Sequence, residues 1–158
     1  MKLWKLLVGS LVIAAPFSAA QAQTYQSYAN ARYGYAICYP SFMKAQREAD
    51  NGDGRRFIGG DGGELIVFGR NNVDGESLAA TARADAADLA GRTGKVTYSA
   101  QRANWAVFSG SNERRLFYSK TFQKPGSFVI FELTYPKSAT ARYKEVATRL
   151  SRCFRLLP

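Results

Sequence analysis

Between Asp50 and Glu64 the chain reads DNGDGRRFIGGDGGE, a glycine-rich stretch carrying Asp50, Asp53, Asp61 and Glu64. Carboxylates in mobile loops are the ligands a calcium ion takes. An EF-hand loop, however, needs oxygen donors at its first, third and fifth positions, a glycine at the sixth and a glutamate at the twelfth. Starting at Asp50 puts Gly52 and Gly54 at the third and fifth positions, and starting at Asn51 puts Arg55 at the fifth. Starting at Asp53 puts Arg55 and Phe57 there, so no register fits. A looser calcium site from the four acids requires two hairpin ends to meet, with Arg55 and Arg56 competing for the same carboxylates. An acid-only hydrolase would instead use two of Asp53, Asp61 and Glu64 as a glycosidase pair, which calls for a cleft and one raised pKa. Phosphate binding is disfavoured, because GGDGGE lacks the P-loop lysine and sets acids where phosphate would lie.

Ser41 and Lys44 in SFMK have the S-x-x-K spacing of a lysine-activated serine. That chemistry needs the serine to open a helix. Here Ser41 follows Pro40 between two strand-like segments, where a separation of three sends the side chains to opposite faces. The chain has no histidine, which removes serine–histidine and cysteine–histidine nucleophilic catalysis and the usual imidazole metal sites. Two cysteines, Cys38 and Cys153, form no CxxC or zinc motif. They permit one internal bridge in an oxidising compartment or two buried thiols. No cofactor is expected.

These residues must be positioned by strands and two helices. YGYAICYP alternates up to Pro40, and the strand expectations in the first half are Tyr35–Tyr39, Met43–Glu48, Arg55–Gly59 and Glu64–Arg70, run as a meander. Residues 75–91 change period: Leu78, Ala82, Ala86 and Leu89 share a helical face, Arg83, Asp85 and Asp88 lie off it, and Gly91 ends it. KVTYSAQ, WAVFSGS, RRLFYSKTFQ and SFVIFELTYP form a second meander, with KPGS as its last turn. After Pro136, Ser138 is placed to cap a helix burying Tyr143, Val146, Ala147 and Leu150. The fold class is α+β, a mostly antiparallel sheet in an α/β/α sandwich, two β-meanders each followed by a helix.

The chain opens as an export signal. Lys2 and Lys5 precede a short apolar run and the small-residue site Ala20-Gln21-Ala22. Residues 1–22 are therefore expected to be a signal peptide, 23–32 an N-terminal extension and 33–158 a single domain. The mature chain would be periplasmic or secreted, with no later run long enough to span a bilayer. The formal charge is +10, of which Lys2 and Lys5 leave with the signal. A basic exported surface suits an anionic partner, either a protein or an envelope component; nucleic acid also fits electrostatically, but export disfavours it as a target. Charge that serves solubility alone is the competing explanation. The candidate contact residues are Arg55, Arg56, Arg114, Arg115, Tyr118 and Lys120, with Trp105 heading the neighbouring strand. Nothing in the sequence sets an oligomeric state.

YGYAICYPSFMK resembles the Tyr-Gly-aromatic-x-Ile-x-Tyr-Pro entry of PsbP-like and DcrB-like periplasmic domains. The element order over residues 30–156 is also similar to that α/β/α sandwich. The resemblance implies a binding, accessory or chaperone-like protein and carries no catalytic residue set. Cys38, Cys153 and the acidity of residues 50–64 lie outside the family's pattern. The functional expectation is a non-enzymatic, exported binding or accessory protein of the bacterial envelope. The alternatives are an inhibitor or immunity protein against an envelope-acting enzyme, and the acid-only hydrolase.

Overall fold

The computed structural model describes residues 23–158, so the expected signal peptide lies outside the described residues. Strand β1 (Tyr25–Asn30) pairs antiparallel with β2 (Tyr35–Pro40). β3 (Met43–Ala45), β4 (Gly54–Gly59) and β5 (Glu64–Asn71) follow, then helix α1 (Leu78–Ala90). β6 (Lys95–Gln101), β7 (Trp105–Ser111), β8 (Arg115–Lys124) and β9 (Ser127–Pro136) form the second run. A 3₁₀ turn (Lys137–Ala139) leads into α2 (Thr140–Cys153), and β10 (Arg155–Leu156) ends the chain.

The main sheet has seven strands in the order β3-β4-β5-β9-β8-β7-β6, all antiparallel. From β5 the chain crosses through α1 to the far edge, and β6 to β9 step back until β9 closes onto β5. From Phe128 to Phe131 β9 is continuously apolar because both its faces are covered there. Phe128 and Ile130 face α1, while Val129, Phe131, Leu133 and Tyr135 pack in the cluster built around α2 and the small sheet. Ser77 caps α1 by accepting from the Ala80 amide at 3.2 Å, and Gly91 closes it with φ 64° and a bond to the Ala87 carbonyl. Its buried face, Leu78, Ala82, Ala86 and Ala90, is almost side-chain-free, so the helix lies close against β7 and β8.

Several elements depart from the sequence reading. β2 does not open the main sheet: it sits in a separate three-stranded sheet, β1-β2-β10. Its partner β1 lies within the expected extension, where alternation buries Tyr28 and Asn30. The strand expected over Met43–Glu48 stops at Ala45, an edge strand that among the described residues pairs only with β4. Ser138 caps nothing, since the 3₁₀ turn displaces the helix start to Thr140 and α2 has no side-chain cap. Asp85 turns inward, held by Arg70 at 2.9 and 3.1 Å. Ser41 lies in the turn after β2, bonded to Thr24, and Lys44 is exposed on β3.

α1 lies on one face of the main sheet over β6–β8. α2 and the small sheet share the other face, over β4, β5, β9 and β8. The described residues leave two quarters uncovered: β3–β5 on the α1 side, where Ile58 is exposed, and β6–β7 on the α2 side, where Tyr98 is exposed. Among the described residues no helix is long and apolar enough to cross a membrane.

Cys38 on β2 and Cys153 at the end of α2 form a disulfide with Cα atoms 5.8 Å apart, closing a loop with a sequence separation of 115. Chain entropy for such a loop sets a ceiling of about 4–5 kcal/mol. We expect Cys38→Ala/Cys153→Ala, or reduction of the wild type, to lower unfolding free energy by roughly 2–4 kcal/mol in urea titrations. An unchanged midpoint would show that the bridge does not constrain the unfolded chain.

Candidate functional site: a basic groove beside the C-terminal helix

On α2, Lys144, Thr148 and Arg152 recur every four residues, which aligns them along one exposed flank. Tyr143, Val146, Ala147 and Leu150 take the buried face. That flank forms the wall of an open groove of about 540 Å³ whose floor includes Ser109, Tyr118 and Tyr135. Register builds the floor: Ser109 pairs with Tyr118 across β7 and β8, and Tyr98 pairs with Ser109 from β6. The Tyr118 hydroxyl and Ser151 Oγ lie 3.1 Å apart, tying floor to wall.

Lys120, two residues along β8 from Tyr118, donates to the Ser151 carbonyl at 2.8 Å. It thereby satisfies one of the unpaired carbonyls at the C-terminus of α2, where a cation also opposes the helix dipole. Its ammonium lies 5.4 Å from the Trp105 ring centroid and 4.8 Å from that of Phe122. Burial holds the Lys120 pKa below its usual value. No carboxylate lines the groove, and Lys144 and Arg152 form no ion pair among the described residues. Chemically the groove offers two free cations, hydroxyls and aromatic floor, a setting for an anion with an apolar body.

Of the six contact residues expected from sequence, only Tyr118 and Lys120 meet here. Arg55 and Arg56 are adjacent on β4 and so face opposite sides of the sheet. Arg55 lies over the Tyr28 ring, while Arg56 pairs with Glu64 at 2.9 Å. Arg114 is exposed in the turn before β8. Arg115 is spent on structure, donating to the Gly62 carbonyl and Thr134 Oγ1. The residues missed were Lys144, Thr148, Ser151 and Arg152, and two signals mark them. One is their helical spacing. The other is charge segregation: from Leu89 onward there are thirteen lysines and arginines against three carboxylates, whereas Gln23–Asp88 carries seven against nine.

The four acids of the glycine-rich stretch are not gathered into one site. Asp50 pairs with Arg47, Asp53 with Arg32, Glu64 with Arg56 and Asp61 with Arg142. No group of three or more potential metal ligands occurs among the described residues. Asp61 also accepts from the Tyr143 hydroxyl at 2.7 Å and from the Gly63 amide. Burial pushes its carboxyl up, yet these donors and Arg142 outweigh it and hold the pKa below the usual range. A side chain at Gly63 would occupy the space of the Tyr143 hydroxyl, so the glycine is what lets Tyr143 reach Asp61. A smaller cavity of about 320 Å³ lies beside β4 and β5, where Asp53 and three arginines give it mixed charge.

The opposite quarter holds Glu132 on β9, set between Ile66 and Ser119 on its neighbours and facing the α1 side. Burial, with Asp85 next in weight, pushes its pKa up to about 7, and the Arg70 guanidinium offsets only part of this.

This architecture is similar to known structures. Cyanobacterial PsbP from Synechocystis superposes with a TM-score of 0.64 at 12% identity, over 90% of this chain and 98% of that one. The Ran-binding protein Mog1p of Saccharomyces cerevisiae superposes at 0.63 and 10% identity, over 86% and 97%. The chain has a PsbP-like fold. No protein-family model and no curated protein sequence matches it.

Glu132 binds a proton in the folded chain between its ordinary pKa of 4.5 and about 7, where the unfolded chain does not. Its contribution to stability is therefore present below pH 4.5 and lost as pH rises through about 7. We expect Glu132→Gln to stabilise the protein by about 2 kcal/mol at pH 8 and by little at pH 4.5, read as urea midpoints at both pH values. A pH-independent difference would place the Glu132 carboxyl in ordinary solvent.

Proposed function

We propose that the chain is an exported, non-enzymatic binding or accessory domain of the bacterial envelope. It holds an anionic partner in the groove between α2 and strands β7–β8. The observation that carries this reading is the pair Lys144 and Arg152, two exposed cations that have no carboxylate partner among the described residues, on the wall of an aromatic-floored groove. Uncommitted cations on a concave surface attract and orient an anion, whereas arginines already paired to carboxylates add little.

The fold is consistent with a binder: one solved protein that shares it is named for binding Ran, itself a protein. Export, the periplasmic address and the finer likeness to DcrB-like proteins belong to the same proposal, on the strength of the N-terminal sequence and of YGYAICYP. An acid-only hydrolase has less support. Asp61 is held below the usual carboxylate range, and a general acid needs the reverse.

Tagged mature protein passed over envelope extract at low salt should retain its partner and release it at high salt. Lys144→Glu/Arg152→Glu should weaken that capture at least about tenfold, while Arg114→Glu should change it little. Equal capture by the double variant would remove the groove from the reading. N-terminal sequencing of the exported protein should start at Gln23; an intact Met1 in the cytoplasmic fraction would overturn the localisation.

A further inference from the structure

The two edges of the main sheet are unequal. β3 offers three residues, one of them Lys44, but β6 offers seven, six of them exposed and only Ala100 half-covered. Among the described residues β6 pairs with β7 alone. A row of unpaired backbone groups on a long edge is a template for another strand, and proteins usually cover, shorten or bend it away. Here an irregularity between Val96 and Tyr98 interrupts the ladder, leaving Tyr98–Gln101 as a regular edge.

Register identifies which groups point outward. The Arg102 amide donates inward to the Trp105 carbonyl at 2.8 Å. In an antiparallel pair the inward groups alternate, so Ala100 and Tyr98 also face β7. Ser99 and Gln101 then present their amides to the open side. The outward Gln101 carbonyl already accepts from the Arg102 guanidinium at 2.9 Å, which holds a cation on the edge itself. Tyr98 and Ala100 project onto the uncovered α2 side, beside the groove, since Tyr98 continues the Ser109–Tyr118 row.

Charge selects the occupant. From Arg92 to Phe131 the chain carries seven basic residues and a single carboxylate, Glu113, and none of β6, β7 or β8 contains an acid. Lys95 and Arg102 bracket β6, and Lys144 and Arg152 line the groove. A second copy of this chain would bring the same cations against each other, whereas an acidic segment would neutralise them.

Resting on the groove reading above, we infer that β6 is a docking edge on which an extended acidic segment of a protein partner adds as an eighth strand. Backbone bonds to Ser99 and Gln101 supply the pairing. Alternate carboxylate side chains fall on the open α2 side, in the field of Lys144 and Arg152. The mode is strand addition, in which main-chain bonds give affinity and alternate side chains give selectivity.

The probe is a fluorescent decapeptide alternating glutamate and valine, followed by anisotropy and by amide hydrogen exchange of the mature protein. The peptide should bind and slow exchange at Ser99 and Gln101 at least about tenfold. Its counterpart N-methylated on alternate amides, which leaves the protein untouched, should lose about tenfold in affinity, as should Ser99→Pro at an unchanged melting temperature. A lysine–valine peptide should not bind. Equal affinity of the methylated peptide with unchanged exchange would overturn strand addition. In that case, weakened binding of the parent peptide by Lys144→Glu/Arg152→Glu would leave the groove reading standing, and unweakened binding would remove both. Concentration-dependent protection of Ser99 and Gln101 without peptide would assign the edge to a second copy and overturn the inference.

Discussion

The structure depends on the antiparallel closure of β9 onto β5. β3–β5 is a short edge group, and it joins β6–β8 only through β9. Their junction places Val67 opposite Phe131 and Leu65 opposite Leu133, all fully buried. Burying such side chains contributes on the order of 1.5–3 kcal/mol each. The pairing is long-range, bridging the α1 crossover. The one charged side chain on this strand, Glu132, is largely withdrawn from water on the α1 side, and that burial is why its carboxyl keeps a proton near neutrality.

Coverage follows from widths. A helix is ~10–12 Å across and strands lie ~4.8 Å apart, so one helix roofs only two or three strands. A seven-stranded sheet with one helix on one side, and a helix plus a small sheet on the other, must leave strands bare. The small sheet fills the space beside α2 over β4, β5 and β9, and the bare quarter on that side becomes β6–β7. Basic residues concentrate in the half of the chain that builds this quarter. The groove is thus a consequence of layering, and its sign a consequence of composition.

How far the sequence revealed this differs by element. β9 and β5 were legible because alternation or continuous apolarity is imposed by burial on one or two faces. α1 was legible from its period, and its end from Gly91. β1 was not, because YQSYAN buries only its second half and its alternation is carried by a polar residue, Asn30, whose amide bonds the Gly52 carbonyl. The sheet to which β2 belongs was hidden as well, since local pattern specifies a strand and not its partner. Asp85 looked like a solvent residue, because its partner Arg70 lies on another element. The same limit governs the site: Tyr118 and Lys120 stood out on one strand, while their neighbours on α2 arrive only through tertiary packing.

The glycine-rich stretch finds its role in that packing. Asp61 takes a hydrogen bond from Tyr143 and an ion pair from Arg142, both in the first turn of a helix that has no side-chain cap. Arg142 also lies 5.0 Å from the Phe42 ring centroid. At the other end of α2, the Cys38–Cys153 bridge, the Lys120 bond to the Ser151 carbonyl and the Tyr118–Ser151 contact hold the last turn. The wall carrying Lys144 and Arg152 is therefore fixed at both ends, and its backbone needs little further ordering when a ligand arrives. For the proposed extended anion, a fixed wall would leave the ligand's own ordering cost as the larger one. The residues that looked most chemical act through the helix they anchor, and the surface they position is the one proposed to meet the partner.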